Sequence, residues 1–404
     1  MLFCMKHPSL TNILCATALC AALLAGGAAA KPVHTARLGP SGLRFYTPPP
    51  RLPAGPHGTL IWARPFHEIA AVPGARNELV LYKQVGVHGR IVAVSGIVSI
   101  PKGKAPRGGW PVITYAHGST GIADQCAPSR ATVPGSDPYV TDVGLAPLFE
   151  SWIRDGYAVL RTDYEGLGGP GPHPFLIGRS EGDGVLDIVR AARQLTPSLS
   201  RRVIIVGHSQ GGHAALWAGA LAPRYTPDLR ILGTVAFAPA SGYYTEVGFL
   251  RTVTTPDLTA GAASLFRGLD IAYPALHVRS LLTPAALRLY SQTLTRCESE
   301  LGSKTSFGGL PLNQLVRASA DLTPIAHDLR LNDPNGLKIK APVLLEQGLA
   351  DQIVFPAFTQ ALSVSLAGVG DLVTYHTYPG ATHATVLAAA ASDAAAFLKN
   401  HFGH

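Results

Sequence analysis

A largely parallel β-sheet covered by helices on both faces, the α/β class, is the architecture this 404-residue chain predicts. Two patterns carry that expectation. Short apolar runs recur near Val112, Tyr157, Val203, Ile231, Val343 and Val373, with helical stretches between several of them. Such alternation builds parallel sheets, because each crossover returns the chain in the same direction. The second pattern is local. Val203-Ile204-Ile205-Val206 runs through Gly207-His208-Ser209-Gln210-Gly211 into the Ala-rich stretch Gly212 to Ala218. Strand, sharp turn with a serine at its apex, then helix is the layout of a nucleophile elbow. A hydrophobic fraction of 47% beside 14% charged residues supplies ample material for one large core.

In chain order, residues 1–30 read as a cleaved signal peptide. Lys6 is the one charge ahead of an apolar stretch from Asn12 to Ala25, and Ala28-Ala29-Ala30 suits small-residue cleavage. Export to the periplasm or the exterior follows. Residues 31–74 are Pro-rich and read as an irregular arm. Residues 75–240 form the first part of the core, opening with an antiparallel pair, Glu78–Tyr82 and Ile91–Ile100. Between Ser241 and Asn335 the strand–helix alternation lapses into Ala- and Leu-rich helical patches such as 282–290. The segment 241–335 therefore reads as an inserted cap, and 336–404 returns to the core.

The chemistry starts at the elbow. Glycine is abundant, with 43 in the chain, so a bare GxSxG carries little and the flanking strand and helix carry the motif. A serine at that apex stands exposed at the top of the sheet, but it is a poor nucleophile without a base and an orienting acid downstream. Ala341 to Gly348 reads as a strand ending in a loop with Asp351, where catalytic groups gather in open α/β sheets. Asp371 to Tyr378 is the next strand, and the loop after it holds His383. Ser209, Asp351 and His383 are thus the expected triad. A helix N-cap is the alternative use of Asp351. His376 is the rival base, although it lies inside its strand, and the strand at 231–238 ends without a carboxylate.

Acyl transfer also needs two N–H donors for the oxyanion. The run Trp110–Ala116 enters His117-Gly118-Ser119-Thr120-Gly121, and a His-Gly pair there lets the backbone approach a substrate carbonyl. The N–H groups of Ser119 and Gln210 are assigned as donors; a turn without a role is the alternative for His117-Gly118. The sequence holds no HExxH, no paired CxxC and no Gly-rich phosphate loop, so neither metal nor cofactor is expected.

Tyr115 to Gly121, Cys126-Ala127-Pro128-Ser129, Asp163-Tyr164-Glu165-Gly166-Leu167-Gly168 and the elbow together resemble the secretory lipase family of α/β-hydrolases, which has bacterial members. The resemblance covers most of the mature chain. It implies an α/β-hydrolase fold, secretion, hydrolysis of carboxylic esters including acylglycerols, and a cap inserted ahead of the acid.

Loss of the leader removes Cys4, Cys15 and Cys20 and leaves Cys126 and Cys297. Two cysteines in an exported chain suggest one disulfide, with two free thiols as the alternative; the family's CAPS cysteine favours the bond. Formal net charge is +8, or +7 once Lys6 is gone. The basic residues are scattered, and nucleic-acid binding wants a basic stripe with interleaved aromatics. The expected partner is a small-molecule or lipid ester, with any contact at a lipid interface transient; oligomeric state is left open. Two rivals remain. A serine exopeptidase shares triad and fold, and a hydrolase-fold binding protein would not need the full triad. Carboxylates in the cap are too scattered to suggest an amine anchor. Its apolar residues, Leu250, Leu265, Phe266, Leu281, Leu282 and Leu289 among them, suggest a graded acyl-length preference of about 1 kcal/mol per methylene.

Overall fold

The computed structural model describes residues 37–403. The leader expected at 1–30, with Cys4, Cys15 and Cys20, lies outside the described residues, as does the start of the arm. Among the described residues nine strands form one sheet: β1 (Leu60–Pro65), β2 (Ala75–Val85), β3 (Ile91–Pro101), β4 (Trp110–Ala116), β5 (Ala158–Thr162), β6 (Leu199–His208), β7 (Arg230–Phe237), β8 (Val343–Gly348) and β9 (Val373–Tyr378). Their spatial order is β1-β2-β3-β5-β4-β6-β7-β8-β9. The pairs from β5 through β9 are parallel, and β1, β2 and β3 add an antiparallel edge.

The arm departs from the irregular segment read in the sequence, because it contributes β1. Leu60-Ile61-Trp62-Ala63 is a short apolar run that pairs with β2, and Pro65, lacking an N–H, ends the strand at the sheet edge where that loss is tolerated.

Alternation along the central strands explains why both faces are covered. Val112, Val203 and Ile205 face one layer, packed on Val185, Val189, Ala214 and Ala218 of the helices Gly178–Leu195 and Gln210–Tyr225. Their neighbours Ile113, Tyr115, Ile204 and Val206 face the other, under Phe149, Trp152, Phe397 and Phe402. A strand apolar on both faces is stable only when sandwiched.

Between β7 and β8 the chain is helical, with Thr259–Ala272 and Thr323–Asn332 as its longer helices. It buries a core of its own around Phe266, Leu269, Leu282, Tyr290, Phe307 and Leu315. Among the described residues no helix is long and apolar enough to cross a membrane.

One buried acid carries a stability consequence. Asp183, in the helix Gly178–Leu195, is 1% exposed, and among the described residues neither carboxylate oxygen has a hydrogen-bond partner. Arg179 approaches to 3.9 Å. Burial and then the nearby Asp187 push its carboxyl up to about 8. The folded protein therefore holds a proton that the unfolded chain releases near pH 4, so stability falls as pH rises from about 4 to about 8. Asp183→Asn is expected to raise Tm by about 5 °C at pH 8 against about 2 °C at pH 5. Calorimetry across that range checks this; a gain independent of pH, or a loss at pH 8, contradicts it.

Candidate active site

Ser209 stands at the junction of β6 and the helix Gln210–Tyr225 with φ 58° and ψ −119°, a region non-glycine residues rarely occupy. Strain of that kind costs about 1–3 kcal/mol and persists only where the surroundings over-determine it. The surroundings do so here. Ser209 N–H donates to the Phe237 carbonyl of β7, and the Ser209 carbonyl accepts from Ala240 N–H and His213 N–H. A Cβ on Gly207 would drive into the Gly211 carbonyl, and one on Gly211 into the Ala116 carbonyl at the end of β4. The two glycines are what let the helix lie so close to the strands.

The structure brings the three expected triad residues into one chain of contacts. Ser209 Oγ lies 2.8 Å from His383 Nε2, and His383 Nδ1 lies 2.8 Å from Asp351 Oδ2. In the tautomer that uses both contacts, the serine hydroxyl donates to Nε2 and Nδ1–H donates to the carboxylate. Asp351 Oδ2 also accepts from the Gln347 amide, while Oδ1 accepts the N–H groups of Ile353 and Val354. Burial pushes this carboxyl up, but the His383 contact and those two N–H groups outweigh it and hold Asp351 below its ordinary value. The following helix, Pro356–Gly368, has Phe355 rather than Asp351 at its N-cap. His376, the rival base, sits within β9 with its Nδ1 3.2 Å from Asp393, apart from the serine.

Gln210 is the first residue of its helix, so its N–H has no intrahelical acceptor. Its side-chain amide donates to Glu181 Oε1 at 2.7 Å and lies 2.9 Å from His173 Nε2, which spends both amide hydrogens and pins the residue. The Ser119 loop crosses the elbow: a Cβ on Gly118 would sit 3.8 Å from that of Ser209. Tyr164, itself at φ 69°, donates its hydroxyl to the His117 carbonyl at 2.9 Å and fixes that loop from below.

Several of these supports were not singled out in the sequence. His208 donates through Nε2 to the His383 carbonyl at 2.9 Å, and its ring stands 4.7 Å from the His383 ring. Burial holds it down to about 3, so it is neutral and a reliable donor. Its place inside the elbow was the available signal. Glu181 and His213 form a buried pair at 2.8 Å, and His213 Nε2 lies 2.7 Å from the Asn332 carbonyl at the end of Thr323–Asn332. Burial disfavours both charges, yet each ring and carboxylate overcomes it for the other: Glu181 is held low and His213 high. Nothing in the local sequence marks that pair.

Cys126 and Cys297 are joined, with Cα atoms 5.5 Å apart. The bond is flanked by a bridge between Gly121 and Cys297 and by Glu298 N–H donating to the Thr120 carbonyl. The segment after the Ser119 loop and the helical segment are thereby held together at the site. A cleft of about 840 Å³ opens beside the disulfide, lined in part by Tyr46, Arg64, Gln125 and Arg130, but includes none of the three triad residues. Closing a 171-residue loop stabilises by up to about 5 kcal/mol through lost unfolded-state entropy. The Cys126→Ser/Cys297→Ser double variant is expected to unfold at lower urea, by several kcal/mol on linear extrapolation; an unchanged midpoint contradicts the role.

The chain is similar to several known proteins. The family model described as secretory lipase matches residues 145–404. Lipase A of Moesziomyces aphidis is 32% identical over 195 residues, 47% of this chain and 41% of that protein. A probable inactive lipase of Mycobacterium tuberculosis (strain CDC 1551 / Oshkosh) is 26% identical over 83% of this chain and 76% of its own. The chain thus spans less than half of the first of these relatives and about three quarters of the second. The crystal structure of Candida antarctica lipase A in its closed state superposes with a TM-score of 0.74 at 23% identity, covering 92% of this chain and 86% of that one.

Proposed function

The chain belongs to the secretory lipase family, and from that premise we propose that it is an exported serine hydrolase of carboxylic esters, acylglycerols included. The observation that carries this reading is the pair of 2.8 Å contacts from Ser209 through His383 to Asp351. Because one relative is described as a probable inactive lipase, family membership alone does not carry activity; what supports it is the contact chain of Ser209, His383 and Asp351.

Ser209 attacks the ester carbonyl while His383 takes its proton through Nε2 and then gives it to the leaving alcohol. Asp351 keeps the imidazole in the useful tautomer and stabilises its charged form. The N–H groups of Gln210 and Ser119 receive the oxyanion, each worth about 3 kcal/mol in the transition state. Water activated by His383 then releases the acid and restores Ser209. The neutral His208 and the Tyr164 hydroxyl act through positioning, the first on the His383 backbone and the second on the Ser119 loop.

Segment 241–335 is the cap in this reading. Most of the apolar residues that suggested an acyl wall have another task, because Leu250, Phe266 and Leu282 pack inside the segment's own core and Leu281 and Leu289 lie against it. Leu265 also packs on a smaller cluster of Ile122, Phe175, Leu176 and Ala240. Ala240 N–H bonds the Ser209 carbonyl, so that cluster is the better candidate for the acyl wall. Removal of residues 1–30 by a signal peptidase completes the account of export.

Ser209→Ala is expected to stay folded and lose ester hydrolysis by at least about 10⁴-fold in kcat, and Asp351→Asn to lose about 10⁴-fold. A series of nitrophenyl esters beside an aminoacyl anilide reads both rate and class. Rising kcat/KM with acyl length that then levels off supports the reading; full activity of Ser209→Ala, or faster cleavage of the anilide than of any ester, overturns it. Tyr164→Phe is expected to lower kcat by about 10-fold or more with KM little changed, as loss of a transition-state donor's support does.

A further inference from the structure

The two strands that lead to Asp351 and His383 carry a second cluster of donor atoms away from the serine. Glu346 of β8 and His376 of β9 are register partners, and Asp393 reaches them from the helix Ala391–Phe402. One donor atom from each lies within 4.8 Å of the others. His376 Nδ1 stands 3.2 Å from Asp393 Oδ2 and 3.7 Å from Glu346 Oε2. Donor atoms around a tetrahedral Zn²⁺ bonded at about 2.1 Å stand about 3.4 Å apart, so these separations match the edges of a coordination shell.

The atoms meet without bonding to one another. His376 Nδ1 is enclosed and makes no hydrogen bond. Glu346 is wholly buried, and its Oε1 has no hydrogen-bond partner either. The Tyr378 hydroxyl lies 2.7 Å from Glu346 Oε2 and 2.5 Å from Asp393 Oδ2, yet it has a single proton to give to two carboxylates. Among the described residues no Lys or Arg pairs with either acid; His376 is their one basic neighbour. A buried carboxylate without a cation is costly, and lone pairs that converge with one hydroxyl proton to share among them are the arrangement of ligands about an ion.

We propose that Glu346, His376 and Asp393 bind one divalent transition-metal cation of the Zn²⁺ type, with the Tyr378 hydroxyl beside it and water completing its shell. One imidazole nitrogen and two carboxylate oxygens suit that class of ion better than Ca²⁺, which takes oxygen ligands in larger number. The His376 and Asp393 side chains are about two-fifths exposed, which gives the ion its way in. The role is structural. The ion ties β8 to β9 and both to the last helix, and so holds at fixed separation the strands whose ends carry the acid and the base. The proposal does not rest on the ester-hydrolase reading.

The experiment uses the full chain as exported, stripped with EDTA and dialysed. Titration with Zn²⁺ in a calorimeter is expected to show one tight equivalent per chain, and Tm to rise by about 3 °C at a free Zn²⁺ concentration of 100 Kd. Asp393→Asn and His376→Gln are each expected to lose 10-fold or more in affinity together with the Tm rise; Glu346→Gln replaces either one that fails to fold. A wild-type chain that takes up no Zn²⁺ overturns the proposal. Uptake left intact in the variants overturns it as well, because the ion then sits on other histidines.

Discussion

The closeness with which the helix Gln210–Tyr225 lies against β4 and β6 sets the terms for everything else at the site. With side chains at 207 and 211 the helix could not seat, because the Gly211 and Ala116 carbonyls already occupy that space. Once it does seat, Ser209 is held at φ 58° by its hydrogen bonds to Phe237, His213 and Ala240. The hydroxyl is then delivered to the His383 ring rather than left to search for it. Pre-organisation of this sort moves an entropic cost of alignment into the folding reaction.

The same helix also anchors what lies above it. His213 and Trp217, one turn apart, both reach the Asn332 carbonyl, and Gly242 N–H donates to Asp333. The helical segment is therefore tied at its exit to the elbow helix and at Cys297 to the segment beyond the Ser119 loop. Its own core around Phe266 and Leu315 keeps it compact between those two ties. A buried imidazolium–carboxylate pair is a demanding way to make such a joint, since removing either partner leaves the other charge stranded.

What could be read in the chain beforehand was whatever is local. The run 203–218 displays strand, turn and helix within sixteen residues, and the ends of the runs at 343–348 and 373–378 point to Asp351 and His383 through chain order alone. β1 escaped because four apolar residues in a Pro-rich arm carry no periodic signal until β2 is beside them. The supports escaped for a different reason. Glu181 and His213 are thirty-two residues apart, Tyr164 and His117 forty-seven, and Glu346 and Asp393 likewise forty-seven. Such pairs are meaningful only after the sheet has brought their elements together, and a polar residue within an apolar stretch says little about which partner it will meet. The packing of the helical segment was hidden by the same limit: apolar residues there do not declare in advance that Leu250, Phe266 and Leu282 turn inward.

The Cys126–Cys297 bond encloses Ser209, since one cysteine precedes the elbow and the other follows it. Ser209 thus lies on a covalent ring of backbone, whereas Asp351 and His383 lie on the tail that leaves it. A protease that cuts one exposed loop between 126 and 297 opens the ring without releasing a fragment, and the elbow stays attached to the rest of the molecule through sulfur. A cut between 297 and 351 divides the chain outright, with Ser209 on one piece and Asp351 and His383 on the other. Susceptibility to proteolysis is therefore uneven along this chain: a cut inside the ring leaves Ser209, Asp351 and His383 covalently connected, whereas a single nick anywhere from Cys297 to His383 divides them between two pieces.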